Sequence, residues 1–151
     1  MVKVVGIDHL SIRVSSFTAS KAFYGRLFPF LGFEVLDEHA EAIGWTNGKT
    51  RYWIGQSEPG RRKTHEIGDV GFHHYAFELQ SRAEVDELHA FVRDELKAVI
   101  VDPAAEYYED YYAVFFLDPD GLKLEGMKYG EALAKTKKTA AKKKAARKKA
   151  G

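Results

Sequence analysis

The sequence predicts an α+β fold made of two consecutive βαβββ modules, followed by a disordered tail. The strand-like run DHLSIRV at 8–14 resembles a second run, HHYAFEL, at 73–79. Each run precedes a segment whose apolar residues have helical spacing. The distance from His9 to Phe33 is 24 residues and that from His74 to Val99 is 25. This near-constant spacing is expected of a duplicated unit.

The first module is predicted over about residues 5–55. Its first strand alternates apolar and polar residues with period two, so one face is expected on a core and the other toward polar surroundings. Ser16 is the expected N-cap of the following helix and Pro29 marks its end. The dipeptide Asn47-Gly48 is a strong hairpin signal. The predicted strands are residues 7–14, 33–36, 42–45 and 51–54, and the predicted helix is residues 16–30.

The second module is predicted over about residues 70–129, after a polar linker at 56–71. Ser81 and Glu84 fit a capping box at the start of its helix. A turn at 118–121, with proline in its second place, joins the last two strands. The main difference from the first module is a longer loop expected at 103–111. The predicted strands are residues 72–79, 98–101, 112–117 and 122–127, and the predicted helix is residues 81–96.

Composition limits the classes of function. The chain has 151 residues, about one domain, and 45% of them are apolar. It has no cysteine, which excludes disulfide scaffolds, thiolate nucleophiles and zinc–thiolate sites, so any metal is held by nitrogen and oxygen. No secretory signal and no apolar run long enough to span a membrane are evident, so we expect a cytoplasmic protein.

The charge is distributed unevenly between residues 1–130, the expected domain, and residues 131–151. The tail carries nine Lys or Arg and one Glu, near +8, whereas the rest carries 14 basic and 21 acidic residues, near −7. This Lys/Ala-rich segment has no apolar stripe to bury and is predicted to be disordered. It is either a solubilising tail or a weak, salt-dependent binder of polyanions such as nucleic acid.

Three residues of metal-ligand type occupy comparable places. On the period-two pattern His9, His74 and Glu125 lie on the polar faces of their strands. A single histidine on a strand is more often a hydrogen-bonded structural residue, but the repeat and the shared face favour ligands here. Two imidazoles and a carboxylate suit a divalent first-row metal with coordination positions left open. The remaining histidines, His39, His65, His73 and His89, receive no role.

The motifs DHLSIRV, FHHYAFEL and AVFFLDPDGLKLEGM closely resemble the vicinal oxygen chelate superfamily over residues 5–129. This superfamily includes glyoxalase I, fosfomycin resistance proteins, extradiol dioxygenases and bleomycin resistance proteins. The resemblance implies that the two modules form a U-shaped, partly open mixed β-barrel around a metal, often completed by strand exchange in a homodimer. Carried over by position, the metal ligands are His9, His74 and Glu125, and Glu125 is also a catalytic residue.

The chain departs from the four-ligand members of this superfamily. Aligning Asn47-Gly48 with Asp120-Gly121 puts Tyr52 opposite Glu125, with Trp53 next to it. The carboxylate expected on the fourth strand is therefore absent. This favours a site of two histidines and one glutamate, as in fosfomycin-modifying enzymes and dioxygenases, over a site like that of glyoxalase I.

The resemblance implies a divalent-metal-dependent enzyme, with Mn, Fe, Zn, Ni or Co, acting on a small oxygen-rich metabolite or xenobiotic. Glyoxalase-like lyase or isomerase chemistry and related transferase or dioxygenase chemistry all stay open. The alternatives are a drug- or ligand-sequestering protein of the bleomycin-resistance type and a nucleic-acid accessory protein acting through its tail.

Further residues are candidates for catalysis or substrate binding. Glu78 is a candidate general base and Arg13 an anion anchor, although a salt bridge between the two explains them equally well. Four tyrosines in or beside the expected loop at 103–111 form either a lid or ordinary packing. The predicted substrate contacts are Arg13, Tyr52, Trp53, Tyr108 and Tyr112.

Overall fold

The computed structural model describes residues 1–61, 64–68 and 70–130. The predicted disorder and polyanion binding of residues 131–151 therefore lie outside the described residues. The chain divides into two compact units, the first made of Met1–His73 with Leu117–Leu122 and the second of His74–Phe116 with Lys123–Gly151. The turn predicted at 118–121 thus belongs to the first unit, although its flanking strands belong mainly to the second.

The first unit has the predicted βαβββ order. Its elements are β1 (His9–Val14), α1 (Phe17–Phe30), β2 (Glu34–His39), β3 (Ala42–Thr46) and β4 (Arg51–Gln56). The sheet runs β1-β4-β3-β2, with β1 parallel to β4 and antiparallel pairing between the others. The Ser16 side chain caps the helix by accepting a bond from the Ala19 N–H at 3.3 Å. Pro29 lies within the last helical turn, one residue before the end.

An aromatic core joins α1 to one face of this sheet. Phe28 stacks on Tyr24 with ring centroids 5.3 Å apart and meets Trp45 at 5.0 Å and Tyr52 at 4.7 Å. All four side chains are buried. Because side chains alternate between the faces of a strand, the opposite face of the sheet carries the polar residues of β1 and, on β4, Trp53.

The second unit repeats this order with β5 (Tyr75–Glu78), α2 (Arg82–Asp94), β6 (Ile100–Tyr108), β7 (Tyr111–Leu117) and β8 (Lys123–Tyr129). Its sheet runs β5-β8-β7-β6 and has β5 parallel to β8. The Ser81 side chain caps its helix by accepting the Glu84 N–H at 3.2 Å, while the Glu84 carboxylate accepts from Gln80 N instead of completing the capping box. Leu88 of the helix is fully buried.

The long loop predicted at 103–111 is wrong. Strand β6 continues through Tyr108, and a tight turn with Asp110 in the left-handed region (φ 65°) leads directly into β7. Aspartate tolerates this conformation better than most residues. Pro103 is accommodated because β6 is an edge strand of its sheet, where a missing backbone N–H costs no ladder bond. The proline and the tyrosine cluster were therefore poor evidence for a loop.

Within the described part of the chain, no helix combines the length and apolar character needed to cross a membrane.

Candidate functional site

Glu125 is a buried carboxylate in the middle of β8. Its side chain is 1% exposed, and the Tyr111 hydroxyl donates a hydrogen bond to its Oε1. Its Oε2 accepts no hydrogen bond from the described residues. Burial raises the pKa of Glu125 to about 7. A carboxylate oxygen of this kind needs a hydrogen-bond donor, a proton or a cation to offset its lost hydration.

His74 directly precedes β5 and lies against this oxygen. Its Nε2 is 2.9 Å from Glu125 Oε2. Because that oxygen accepts no hydrogen bond, the two atoms are close without the alignment that an N–H···O bond requires. Two ligand atoms at right angles around a metal, each about 2.1 Å from it, lie about 3.0 Å apart. His74 and Glu125 are therefore spaced as neighbouring ligands of one ion.

An aromatic wall and one cation surround this pair within the second unit. The Phe115 ring meets the His74 ring edge-on at 6.0 Å and the Tyr107 ring at 5.4 Å. The Lys123 ammonium lies 4.2 Å from the centroid of Phe115 and 3.7 Å from an Asp102 carboxylate oxygen. The Lys123 side chain is only 12% exposed, so its charge is weakly screened by water.

His9 begins β1 in the first unit, and one nitrogen of its ring contacts a neighbouring carboxylate. Its Nδ1 lies 2.9 Å from Asp8 Oδ2, and Asp8 Oδ1 accepts a bond from the Arg51 guanidinium at 2.5 Å. The hydrogen bonds from His9 and Arg51 hold the pKa of Asp8 below its usual value. An ionised Asp8 favours the tautomer with its proton on Nδ1, which leaves the Nε2 lone pair available for a metal.

The structure brings together two of the three predicted ligands. His74 and Glu125 are in contact within the second unit, and His9 belongs to the first. Across residues 1–61, 64–68 and 70–130 no three His, Asp or Glu side chains form a group placed to hold a metal ion. Two donor atoms in contact, one of them the buried Oε2 of Glu125, fit part of a metal site.

Strand register identifies the residue that occupies the place of the fourth ligand. The β5 residue two positions after His74 pairs with Glu125, and the β1 residue two positions after His9 pairs with Trp53. Trp53, and not Tyr52, is therefore the counterpart of Glu125. The expectation that this position lacks a carboxylate still holds, but the predicted alignment was wrong by one residue.

Trp53 lies across a glycine on the next strand. A Cβ atom at Gly44, its pairing partner, would lie 2.5 Å from the indole ring. The glycine thus lets the ring lie flat on the sheet, where it also stacks with His39 at 6.4 Å. Tyr52 points the other way and is 1% exposed within the aromatic core. Its burial contradicts the predicted substrate contact.

The two predicted tyrosine contacts in the second unit differ in position. The Tyr112 hydroxyl donates to Asp86 of α2 at 2.7 Å and its ring lies beneath the Arg82 guanidinium, 5.1 Å from the centroid. Tyr112 therefore faces the helix, on the side of the sheet away from Glu125, and the prediction is wrong for it. Tyr108 is 74% exposed at the end of β6.

Glu78 belongs to the second unit and Arg13 to the first. Glu78 is 70% exposed and forms its ion pair with Lys128, whose Nζ lies 3.2 Å from Oε1. Arg13 lies in the first unit and lines a cavity of about 670 Å³ there. Its guanidinium rests over Gly55, because a Cβ atom at that residue would be 2.5 Å from Nη1.

Three contributors to the site were missed at the level of sequence. Asp8 and Arg51 fix the His9 ring, and Tyr111 holds one oxygen of Glu125. The adjacent Asp-His pair at 8–9 was a usable signal, since metal-ligating histidines commonly donate to a carboxylate. The contacts of Arg51 and Tyr111 depend on strand register, which the residues alone did not fix.

Comparison with known proteins agrees with this architecture. A model of the Glyoxalase/Bleomycin resistance protein/Dioxygenase superfamily matches residues 6–125. The chain is 28% identical over 122 residues to the uncharacterized protein YqjT of Bacillus subtilis (strain 168), covering 79% of this chain and 95% of that protein.

Two crystal structures illustrate the structural likeness. A candidate glyoxalase from Bacillus halodurans has a TM-score of 0.70 at 28% identity, covering 81% of this chain and 94% of that one. A glyoxylase/bleomycin resistance protein/dioxygenase domain from Frankia sp. EAN1pec has a TM-score of 0.70 at 18% identity, covering 85% and 100%. The chain belongs to the Glyoxalase/Bleomycin resistance protein/Dioxygenase superfamily, which confirms the resemblance and the paired βαβββ fold predicted from the sequence.

Proposed function

We propose that this chain is a divalent-metal-dependent enzyme of its superfamily that acts on a small oxygen-rich molecule. His74 and Glu125 are proposed as two of the metal ligands and His9 as the third. The observation that carries the proposal is the buried Glu125 Oε2, which accepts no hydrogen bond from the described residues and lies 2.9 Å from His74 Nε2.

The energetics of burial support a cation at this place. A buried carboxylate without hydrogen bonds is expensive, and a positive charge in contact with it offsets much of that cost. Protonation offsets it as well, and burial already raises the pKa of Glu125 to about 7. A divalent ion and a proton therefore compete for Glu125, and the ion wins more easily as the pH rises.

His9 is included on its position in the sequence and on its contact with Asp8. The Asp8 carboxylate, itself held by Arg51, orients the ring through Nδ1 and leaves Nε2 to bind. Carboxylate–histidine–metal arrangements of this type raise the basicity of the ligand. We propose a homodimer in which His9 meets the other two ligands either within one chain or across two; this assembly and a cytoplasmic location stay predictions.

The protein groups around His74 and Glu125 define what the chain itself contributes. A bound divalent ion supplies Lewis acidity toward two neighbouring oxygens of a substrate. Tyr111 fixes the orientation of Glu125. Lys123 offers a weakly hydrated positive charge to a developing oxyanion, and Phe115 keeps water from that side of His74. Glu78 stays the candidate base, restrained by Lys128.

The donor set leaves the reaction class open between lyase or isomerase, transferase and dioxygenase chemistry. Two imidazole nitrogens and a carboxylate oxygen accept Mn, Fe, Zn, Ni or Co. The identity of the native metal is the fact that separates these classes, since iron points to dioxygen chemistry and the others to Lewis-acid chemistry.

Metal content of protein purified without chelator tests the proposal. Elemental mass spectrometry should find about one divalent ion per chain in the native protein and almost none in His74→Ala and Glu125→Ala. His89→Ala in the second unit, and His39→Ala, whose Nε2 lies 3.3 Å from Asp37, are matched controls and should keep the metal. A native protein that stays empty after incubation with each of the five metals would contradict the proposal.

A second function, sequestration of a ligand without catalysis, is favoured by one observation. The cavity lined by Arg13 lies wholly in the first unit and includes none of the proposed metal ligands. Ligand binding there with no turnover, in protein that binds no metal, would move the chain to this class.

A further inference from the structure

The cavity of the first unit has the size and the walls of a ligand site. It measures about 670 Å³, within the range of small-molecule pockets. It lies between β1, the segment that follows β4 and the turn at 118–122. Its apolar wall comes from Ile12, Phe72 and Leu122, and its polar wall includes the Ser11 side chain and Arg13.

The floor of the cavity is held by several hydrogen bonds. Asp120 accepts from the Ser15 N–H at 2.8 Å and from the Ser15 hydroxyl. The backbone N–H of His65 donates to the Asp120 carbonyl at 2.7 Å. Gly121, with φ +84°, passes so close to the His65 carbonyl that a side chain there would collide with it. The turn and the segment at 64–66 thus form a connected base.

The other described charged side chains that line the cavity each have a partner. Arg61 pairs with Glu58 at 3.1 Å. The Asp120 carboxylate is satisfied by Ser15, as described above. Asp118 accepts from the Tyr24 hydroxyl and from the Leu122 N–H, both at 2.8 Å. These hydrogen bonds hold the carboxylates of Asp118 and Asp120 in place but do not neutralise their charge.

Arg13 is different. Its guanidinium forms no hydrogen bond or ion pair with any residue of the ranges 1–61, 64–68 and 70–130. Gly55 creates the space in which its guanidinium rests on the sheet. The Ser11 hydroxyl, two residues earlier on β1, projects from the same face and likewise has no partner in those ranges. A planar cation and a hydroxyl on one strand face are suited to a carboxylate.

We propose that this cavity binds a small organic monoanion, a single carboxylate on an apolar body, with Arg13 and Ser11 contacting the carboxylate and Ile12, Phe72 and Leu122 contacting the body. Among the described residues that line the cavity, Arg13 is the cation without an ion-pair partner, which suits a ligand with one negative charge. A dianion such as phosphate would leave a second charge without a partner near the carboxylates of Asp118 and Asp120. The apolar wall favours a body without polar groups.

Binding is measured on chelator-treated protein, so that it is independent of the proposed metal chemistry. The probes are benzoate, phenylacetate and hexanoate, with neutral benzamide and inorganic phosphate for comparison. Calorimetry measures the affinity of each probe, and changes in amide chemical shift locate the binding site. At least one carboxylate should bind at least tenfold more tightly than benzamide and phosphate, with shifts at β1 and at the turn. Raising the salt concentration should weaken binding, because Arg13 is exposed.

Two variants locate the anion contact. Arg13→Gln should weaken carboxylate binding at least tenfold. Gly55→Ala retains the arginine but displaces its guanidinium, so it should weaken binding in the same direction. Arg61→Gln, which removes a cation already paired with Glu58, should change binding less than twofold.

The outcomes separate this proposal from the metal site. His74→Ala and Glu125→Ala should bind the carboxylate as the native protein does, even where metal is lost. Absence of binding by all three carboxylates, equal binding of benzamide, or unchanged binding in folded Arg13→Gln would overturn the proposal and leave the metal site untouched. Tighter binding of phosphate than of every carboxylate would also overturn it.

Discussion

The two units share a strand order but place different chemistry at equivalent positions. In the second unit, the residue two positions after His74 pairs with Glu125, a buried carboxylate that contacts Tyr111 and His74. In the first unit the equivalent residue is Trp53, which lies across Gly44. The same backbone thus supports a charged group in one unit and an aromatic surface in the other.

This difference shows which parts of a duplicated module are free to change. The helix-covered face of each sheet carries the core and stays apolar in both units. On the opposite face, the carboxylate of Glu125 in one unit corresponds to the indole of Trp53 in the other, which fits over Gly44 on the neighbouring strand.

The largest expected effect concerns the buried carboxylate. The pKa of Glu125 is about 7 in the folded protein against 4.5 when unfolded, so folding favours the protonated form. This contribution is fully present below pH 4.5 and is lost as the pH rises through 7. Metal-free native protein should lose about 3 kcal/mol of unfolding free energy between pH 4 and 8 relative to Glu125→Gln. Urea unfolding across this range measures it; parallel curves for the two proteins would refute the raised pKa.

A second test compares the glycines on the two kinds of face. A methyl group at Gly126 would collide with the fully buried Leu88 of α2, whereas one at Gly44 would meet the partly exposed Trp53. Gly126→Ala should cost about 2–3 kcal/mol of unfolding free energy and Gly44→Ala about 1 kcal/mol. Denaturant midpoints provide the comparison, and an equal loss in both would contradict the difference between the faces.

A third test concerns the orientation of His9. Asp8→Asn weakens the acceptor that holds Nδ1, so metal affinity should fall at least about tenfold. Asp37→Asn removes a carboxylate near another exposed histidine, His39, and should leave affinity unchanged. Competition with a coloured chelator measures both constants. Equal affinity in native and Asp8→Asn protein would remove Asp8 from the account.

The smallest effect is expected from Tyr111. Tyr111→Phe removes the hydrogen bond to Glu125 Oε1 and should cost about 1 kcal/mol of unfolding free energy at pH 8, where the carboxylate is charged. At pH 4 the loss should shrink. Tyr108→Phe, on an exposed neighbour, serves as control and should change stability little at either pH.

The sequence predicted the features that depend on local pattern. Period two placed His9 and Glu125 on the polar faces of their strands, and Ser16 and Ser81 were correctly identified as helix caps. Family membership followed from the motifs around His74. These signals are local because strand alternation and capping involve residues only a few positions apart.

The predictions that failed depend on register and on strand position within the sheet. Aligning the hairpins by their turn residues assigned Tyr52 instead of Trp53 to the ligand position, since a shift of one residue reverses the face of a strand. Tyr112 was taken as a substrate contact because it lies beside the expected loop, whereas its hydroxyl bonds to Asp86 of α2. Pro103 suggested a loop because nothing in the sequence showed that β6 is an edge strand.

A manganese titration tests whether Glu125 is a metal ligand and whether Trp53, at the equivalent position of the first unit, has no such role. Free Mn²⁺ is followed by electron paramagnetic resonance in chelator-treated native protein, Glu125→Gln and Trp53→Phe, at pH 8, where proton competition for Glu125 is small. We predict one site per chain, an affinity at least a hundredfold lower in Glu125→Gln, and a change below threefold in Trp53→Phe. Native affinity in Glu125→Gln, or an equal loss in both variants, would contradict the account.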